Sequence, residues 1–272
     1  MKVVIIGGGT AGWMAAAYLA KKGKQVTLIE SPDIKKIGVG ESVTPHLKHF
    51  FDEIGIDEKD WMKKTNAVMK LSNEFSNWVT NTGEYDYFSF NYTTNENIMF
   101  RDLAGCVNLN DFCKDANQIR NIDHLAYHIQ NKNLDKFDRY FYPHYHYMER
   151  NIAPFIDNTL ILNQPYSYSQ HINAEMAADY IRDEIAVPLG VKHILKEVTK
   201  VNIENDEIKS LSIDDEIVTG DYYIDATGFK KLIVDELGWK SKYYENNAID
   251  SAWVTQTQYE NKEDELINHT KT

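Results

Sequence analysis

The sequence predicts an α/β fold built on a parallel sheet, and three observations predict it. Val3-Val-Ile-Ile6 is a short β-branched run with the character of a strand buried on both faces. Gly7, Gly9 and Gly12 then stand in G-x-G-x-x-G register and lead into the helix-forming Met14-Ala-Ala-Ala-Tyr-Leu-Ala-Lys-Lys22. A second strand, Gln25-Val-Thr-Leu-Ile-Glu30, ends in an acid roughly 20 residues beyond the glycines. In this order the residues form a dinucleotide fingerprint. One glycine makes the tight turn, one lets a pyrophosphate approach the backbone, and one allows close helix–strand packing. The diphosphate sits on the helix N-terminus, where free N–H groups and the dipole favour negative charge. The candidate cofactor contacts here are Gly7, Gly9, Thr10, Ala11, Gly12 and Trp13, with Glu30 as the ribose ligand.

The bulk composition excludes several classes. A chain of 272 residues suits one large domain or a core domain with a smaller companion. With 41 Asp+Glu against 29 Lys+Arg, a nonspecific nucleic-acid surface is not expected. Cys106 and Cys113 are the only cysteines, so there is neither a disulfide framework nor a four-cysteine zinc spacing. A reduced, cytoplasmic protein is the plain expectation. The first apolar run is one strand long and passes directly into the glycine turn, unlike a signal peptide. No apolar stretch approaches the roughly 20 residues that span a bilayer, so no membrane association is expected. His144-Tyr-His146 reads as two histidines on one face of a strand, but no third ligand accompanies them and no metal site is expected. The aromatic residues between Trp78 and Tyr168 read as core packing before they read as a ligand pocket.

Beyond the first βαβ unit, Ser31 to Pro45 carries Gly38, Gly40 and Pro45, which forbid a regular element and make it a shaped loop. Helical stretches follow at His46–Ile54 and Glu58–Lys64. From about Val68 to Tyr168 the chain shows strands and irregular aromatic segments without helix–strand alternation, an inserted β-rich, substrate-facing region over 68–168. Asn173–Val187 is helical, with Met176, Tyr180, Ile181 and Ile185 on one face. Lys196–Ile203 and Glu207–Ile213 alternate about Asn205-Asp206 as a hairpin. Asp221-Tyr-Tyr-Ile-Asp-Ala-Thr-Gly228 is a further buried strand ending in a glycine turn, which returns the chain to the nucleotide fold. The nucleotide-binding domain is therefore discontinuous, 1–67 and 169–240, and 241–272 opens a C-terminal part whose tail from Glu260 is polar and without a packed pattern.

The strand ending in Asp225-Ala226-Thr227-Gly228 selects among such proteins. Small residues there let backbone approach a cofactor, and Asp225 can hydrogen-bond its ribityl or pyrophosphate region; an ordinary strand-to-turn transition is the plain alternative. Paired with the N-terminal glycines, Asp225, Thr227 and Gly228 resemble the second half of the FAD site in glutathione-reductase-type flavoproteins, including the aromatic-hydroxylase-like monooxygenases. That resemblance puts FAD ahead of NAD.

Four stretches together resemble the flavin-dependent tryptophan halogenase family. They are Gly7-Gly-Gly-Thr-Ala-Gly-Trp13, Ile37-Gly-Val-Gly-Glu-Ser-Val-Thr-Pro45, Lys70-Leu-Ser-Asn-Glu-Phe-Ser-Asn-Trp78 and Asp221-Tyr-Tyr-Ile-Asp-Ala-Thr-Gly-Phe229. Tyr168-Ser-Gln-His-Ile-Asn-Ala174 is a weaker echo of the family's Tyr-x-His-x-Asp-Ala, with Asn173 in place of the acid. The resemblance implies that Gly38, Val39, Gly40, Glu41 and Ser42 line the flavin ring. It also implies that FADH2 from a separate reductase, O2 and halide give hypohalous acid. This acid passes to Lys70, which directs electrophilic halogenation of an indole-like or other electron-rich aromatic. Lysine suits that role as an ammonium donor or, in a dry site, as a neutral amine.

The family's W-x-W-x-I-P signature, and beyond it a glutamate that works with the lysine, do not occur in these 272 residues. The chain therefore reads as an N-terminal portion with low or no turnover alone, and a complementary C-terminal chain joins the expected partners. Two other readings stand beside the halogenase: an FAD-dependent monooxygenase or oxidoreductase without halogenation, and a noncatalytic or split-gene fragment.

Overall fold

A computed structural model describes residues 1–34, 40–78, 81–82, 85–89, 143–156, 159–160, 168–246, 251, 253–255, 257–261 and 266–271. The aromatic stretch 90–142, both cysteines, His128 and the loop residues Gly38 and Val39 lie outside them. The strands are β1 (Lys2–Ile6), β2 (Gln25–Glu30), β3 (Gly40–Ser42), β4 (Val68–Lys70), β5 (Ser72–Ser76), β6 (Tyr85–Ser89), β7 (Phe155–Ile156), β8 (Thr159–Leu160), β9 (Ser169–Asn173), β10 (Lys192–Leu195), β11 (Lys200–Glu204), β12 (Glu207–Ile213), β13 (Glu216–Val218), β14 (Tyr222–Asp225) and β15 (His269–Lys271). The α-helices are α1 (Thr10–Lys21), α2 (His46–Ile54), α3 (Glu58–Thr65), α4 (Pro143–Glu149), α5 (Ala174–Tyr180) and α6 (Leu232–Glu236).

The chain divides into two units, and the first comprises Met1–Glu41, Ile54–Asn66 and Ile172–Thr257. Its centre is a parallel sheet in the order β10-β2-β1-β14. β1 lies between two neighbours, Ile6 standing opposite both Ile29 and Asp225, so its residues must be apolar on both faces. Val3 to Ile6 are accordingly at most 4% exposed. The β11–β12–β13 meander follows β10 and turns about Asn205 and Asp206, at φ 54 and 61. Two successive left-handed residues are what a two-residue hairpin turn demands, and Asn and Asp tolerate them. Val198, just before β11, and Val201, Leu211 and Ile213 from this meander pack with Val4, Ile6 and Ile29 of the sheet and Ile233 of α6 in one core cluster.

The helix expected over 173–187 forms in two pieces. Asn173 caps α5, its side chain accepting from the Met176 N–H at 3.0 Å, so the amide caps here where the related motif carries an acid. After Tyr180 the run continues as a π-helical turn over Ile181–Ala186, which still buries Ile181 and Ile185.

The second unit comprises Ser42–Glu53, Ala67–His171 and Gln258–Thr272. Ser42–Glu53, with most of α2, belongs to this second unit. β4 runs antiparallel to β9, with Val68 opposite His171 and Lys70 opposite Ser169. β5 pairs antiparallel with β6 and parallel with β15. That last pairing corrects the view of the tail as unpacked. Asn268 is 4% exposed and donates through Nδ2 to the carbonyls of Tyr147 and Ile152, while its own carbonyl accepts from the Leu71 N–H at 2.7 Å. A polar residue enters a core when its hydrogen bonds are met there, which no apolar pattern announces.

His144 and His146 lie on α4 and not on a strand. Residues two apart share a strand face but not a helix face, so the paired-histidine geometry does not arise. Among the described residues no group of His, Cys, Asp and Glu could hold a metal ion, and no helix is long and apolar enough to cross a membrane.

Candidate functional site

In the first unit the loops after β1, β2 and β14 meet at the carboxyl ends of parallel strands, where open α/β sheets bind ligands. The meeting is tight. The Ala226 N–H donates to the Ile6 carbonyl at 2.8 Å, and the Gly7 N–H to the Ile29 carbonyl at 2.9 Å. Gly7 has φ 113, and a Cβ there would fall 2.2 Å from the Ala226 carbonyl oxygen. A Cβ on Gly12 would lie 1.9 Å from the Gly7 carbonyl oxygen. Each therefore permits a backbone approach closed to other residues. Gly9 differs: a Cβ there meets nothing within 4 Å, so its outer side is open. It also starts α1 with no side-chain cap, leaving the first-turn N–H groups of Thr10 and Ala11 without a capping side chain. An open glycine beside uncapped donors fits a diphosphate.

The other predicted contacts of this unit occupy defined places. Thr10 Oγ1 donates to the Ala174 carbonyl at 3.3 Å. Trp13 is fully buried under the cradle, and its Nε1 has no hydrogen-bond partner among the described residues. Glu30 reaches the glycine turn: its carboxyl carbon lies 2.0 Å from where a Gly8 Cβ would be. Its Oε2 is 3.1 Å from His193 Nε2, and the His193 ring meets Trp13 edge-on with centroids 4.9 Å apart. His193 had no signal in the sequence, because β10 brings it beside Glu30 only through the sheet order.

Asp225 faces back into its own loop. Its Oδ1 accepts from the Thr227 N–H and hydroxyl at 3.0 and 2.6 Å, and its Oδ2 accepts from the Ile233 N–H at 2.8 Å and the Val234 N–H at 3.3 Å. Burial opposes the ionised form, but these hydrogen bonds outweigh it and hold the carboxyl below its ordinary value. Thr227 Oγ1 in turn accepts from the Leu232 N–H, so the loop is locked onto the start of α6. Gly228 opens a short 3₁₀ turn at φ 61.

In the second unit, Lys70 is 4% exposed. Burial disfavours its charged form and draws its pKa down to about 8. Its Nζ donates to the Ser42 hydroxyl. Ser42 Oγ lies 3.0 Å from Thr270 Oγ1, which lies 2.8 Å from His171 Nε2. Ser169, opposite Lys70, donates its hydroxyl to the Val43 carbonyl. Gly40 and Glu41 are exposed on β3 in the first unit. Thr270 was invisible in the sequence as a neighbour of Lys70, being one residue of a polar tail.

His171 is pushed down to about 4, first by burial and then by the charges of Lys70 and His269. The sign follows from linkage. Between pH 6.5 and about 4 the unfolded chain takes up a proton at His171 that the folded chain refuses. Stability is therefore expected to fall through this window as pH drops, by on the order of 3 kcal/mol at its acid end. Thermal melts at pH 7 and pH 5 check this: the loss should shrink in His171→Gln, and an unchanged loss would rule the residue out.

The comparisons with known proteins account for the chain as a whole. The family model described as tryptophan halogenase matches residues 2–270. Tryptophan 7-halogenase RebH of Lentzea aerocolonigenes is 31% identical over 244 residues, covering 86% of this chain and 44% of that protein. Tryptophan 6-halogenase ThaL of Streptomyces albogriseolus is 32% identical over 243 residues, with the same shares covered. Among solved structures, tryptophan 6-halogenase SttH from Streptomyces toxytricini superposes with a TM-score of 0.69 at 28% identity, covering 87% of this chain and 44% of that one. The chain thus spans less than half the length of these relatives. Because the match runs from β1 into β15 and takes in both units, the chain belongs to the tryptophan halogenase family.

Proposed function

We propose that this chain provides the flavin-binding cradle and the reactive lysine of an FAD-dependent halogenase acting on an indole-like or other electron-rich aromatic. The observation that carries this reading is the interlock of Gly7, Gly12 and Ala226, which joins both halves of the flavin motif into one cradle in a chain of this family. FADH2, delivered by a separate reductase in the cytoplasm, supplies the electrons with which O2 and halide give hypohalous acid. Gly9, Thr10 and Ala11 hold the diphosphate on the α1 N-terminus, Glu30 accepts ribose hydroxyls, and Asp225 and Thr227 shape the facing loop. Gly38, Val39, Gly40, Glu41 and Ser42 enter the proposal as the flavin-ring residues that the family resemblance implies. Lys70 suits the capture of the electrophilic halogen because a buried amine with a pKa near 8 is available in both protonation states at neutral pH.

A complementary chain carrying the rest of the family fold belongs to the same proposal. Phe229 and Trp253 are 90% and 104% exposed, and Trp239 and Tyr243 also lie open, an aromatic surface that a partner would cover. The test is anaerobic titration with FADH2, followed by O2, bromide or chloride, and tryptophan. Flavin binding with halogenated product, weak for residues 1–272 alone and stronger with the complementary polypeptide, is the expected result. Hydroxylated product without halogenated product would replace this reading with the monooxygenase one, and absence of flavin binding in both preparations would refute it.

A further inference from the structure

We propose that Ser42, Thr270 and His171 form a hydroxyl–imidazole chain that positions the Lys70 amine and makes the C-terminal strand part of the lysine's site. The proposal rests on reading Lys70 as the reactive amine. Four separate segments converge: Ser42 ends β3, Lys70 ends β4, His171 lies within β9 and Thr270 is the middle residue of β15. Their side chains are consecutive hydrogen-bond partners, with Lys70 Nζ donating to Ser42 Oγ, 3.0 Å from Ser42 Oγ to Thr270 Oγ1, and 2.8 Å from Thr270 Oγ1 to His171 Nε2.

The orientation of the chain follows from its far end. His171 also bonds the backbone of Ile267, a contact that favours the protonated ring and so marks a carbonyl acceptor. A neutral imidazole that donates through one nitrogen accepts through the other. Hydroxyl hydrogens rotate to suit their partners. The heavy-atom geometry of the Thr270–Ser42 contact also suits donation from Thr270, but with the Thr270 hydrogen held by His171 the bond is donated by Ser42, and a lone pair of Ser42 faces the Lys70 N–H. Ser42 and Thr270 then each give and receive one bond in the chain that starts at the Lys70 amine, an arrangement in which successive hydrogen bonds support one another.

Strand pairing keeps the far members in place. β15 is held in register on β5, His269 opposite Ser72 and Thr270 opposite Asn73, while β9 is held on β4 with His171 opposite Val68. Among the described residues, the ionisable groups that act on the histidines of this cluster include His269 and Lys271 on β15 and Glu74 on β5. Glu74 is paired with His269 at 3.1 Å. Ser42 Oγ is a hydroxyl that Lys70 Nζ reaches directly, and these charges lie on the neighbouring strands.

The experiment is a titration of the Lys70 side chain by two-dimensional NMR of protein labelled with ¹³C in lysine, using the full chain. In Thr270→Val the Ser42 hydroxyl loses its acceptor, so the ammonium is held less well. The Lys70 midpoint should fall by about half a unit to one unit, a threefold to tenfold change in its protonation ratio. Thr270→Ser should restore the wild-type midpoint. His171→Gln, which keeps an acceptor for Thr270, should shift it by less than Thr270→Val does. A merely structural Thr270 would lower the melting temperature in Thr270→Val and leave the Lys70 midpoint where it was, and that outcome overturns the proposal. If Thr270→Val does not fold, Ser42→Ala carries the same test, and an unmoved midpoint there overturns it as well. Because the titration reads the amine and not product, it can fail while the chain still halogenates, and it can succeed in a chain that does not.

Discussion

Gly7→Ala is expected to abolish flavin binding and to destabilise the first unit by about 2–5 kcal/mol. Two independent penalties act at this position. A φ of 113 is open to glycine and strained for any residue with a Cβ. The new methyl would also stand 2.2 Å from the Ala226 carbonyl oxygen, which is backbone and cannot rotate away. That carbonyl belongs to the loop locked by Asp225 and Thr227, so relief at Gly7 means breaking bonds to Thr227, Ile233 and Val234. Gly9→Ala is the contrasting variant. Its Cβ meets nothing within 4 Å, so the fold should keep its melting temperature to within a few degrees. The methyl would nevertheless occupy the side on which a diphosphate approaches, and the dissociation constant for FAD should rise about tenfold or more. Thermal melts and flavin fluorescence titrations of both variants separate folding from binding. Equal melting temperatures for the two would refute the interlock, and unaltered FAD affinity in Gly9→Ala would move the diphosphate elsewhere.

Lys70→Met is expected to remove halogenation by a factor of about 10³ or more while leaving the reoxidation of FADH2 by O2 unchanged. Methionine preserves most of the side-chain volume and removes an amine whose charged form is costly to bury. Loss of product in this variant is therefore not a loss of fold. Lys70→Arg refines the result. Arginine keeps the positive charge but does not deprotonate in proteins. A lysine that works only as a cationic donor would leave part of the activity in Lys70→Arg, whereas one that reacts as the free amine would leave none. The measurement is halogenated product by mass spectrometry beside the rate of flavin reoxidation, in the preparation that supports turnover. Wild-type product levels in Lys70→Met would make Lys70 a strut between β3 and β4 and would return the search for the reactive group to the rest of the unit.

The elements that local sequence spelled out are those whose signals are local. β2 and α2 have the bounds read from the sequence, β1 and α3 differ from theirs by a residue at one end, and the Asn205-Asp206 turn falls where its two residues demand it. The glycine fingerprint was legible because its three glycines are spaced within one strand–turn–helix, although only the Gly12 contact with the Gly7 carbonyl is local and the Gly7 contact with Ala226 is not. The family resemblance was legible because it runs along the chain in order, and the family match over 2–270 bears it out.

What lay beyond local signals depends on partners far apart in the chain. α4 was read as a strand because aromatic residues and alternating histidines suit both structures. The pairing of β15 with β5 joins residues almost 200 positions apart and buries Asn268 with its hydrogen bonds met, which hydropathy cannot show. The sequence by itself determined a parallel α/β sheet with a glycine cradle at its carboxyl edge, since strand, turn and helix there are consecutive. Only the tertiary structure decided which side chains meet. It placed His193 on Glu30, the Asp225 loop on Gly7, and Ser42, His171 and Thr270 around Lys70. Hydrogen bonds between distant segments form where strands bring them, and strand order is a property of the whole chain.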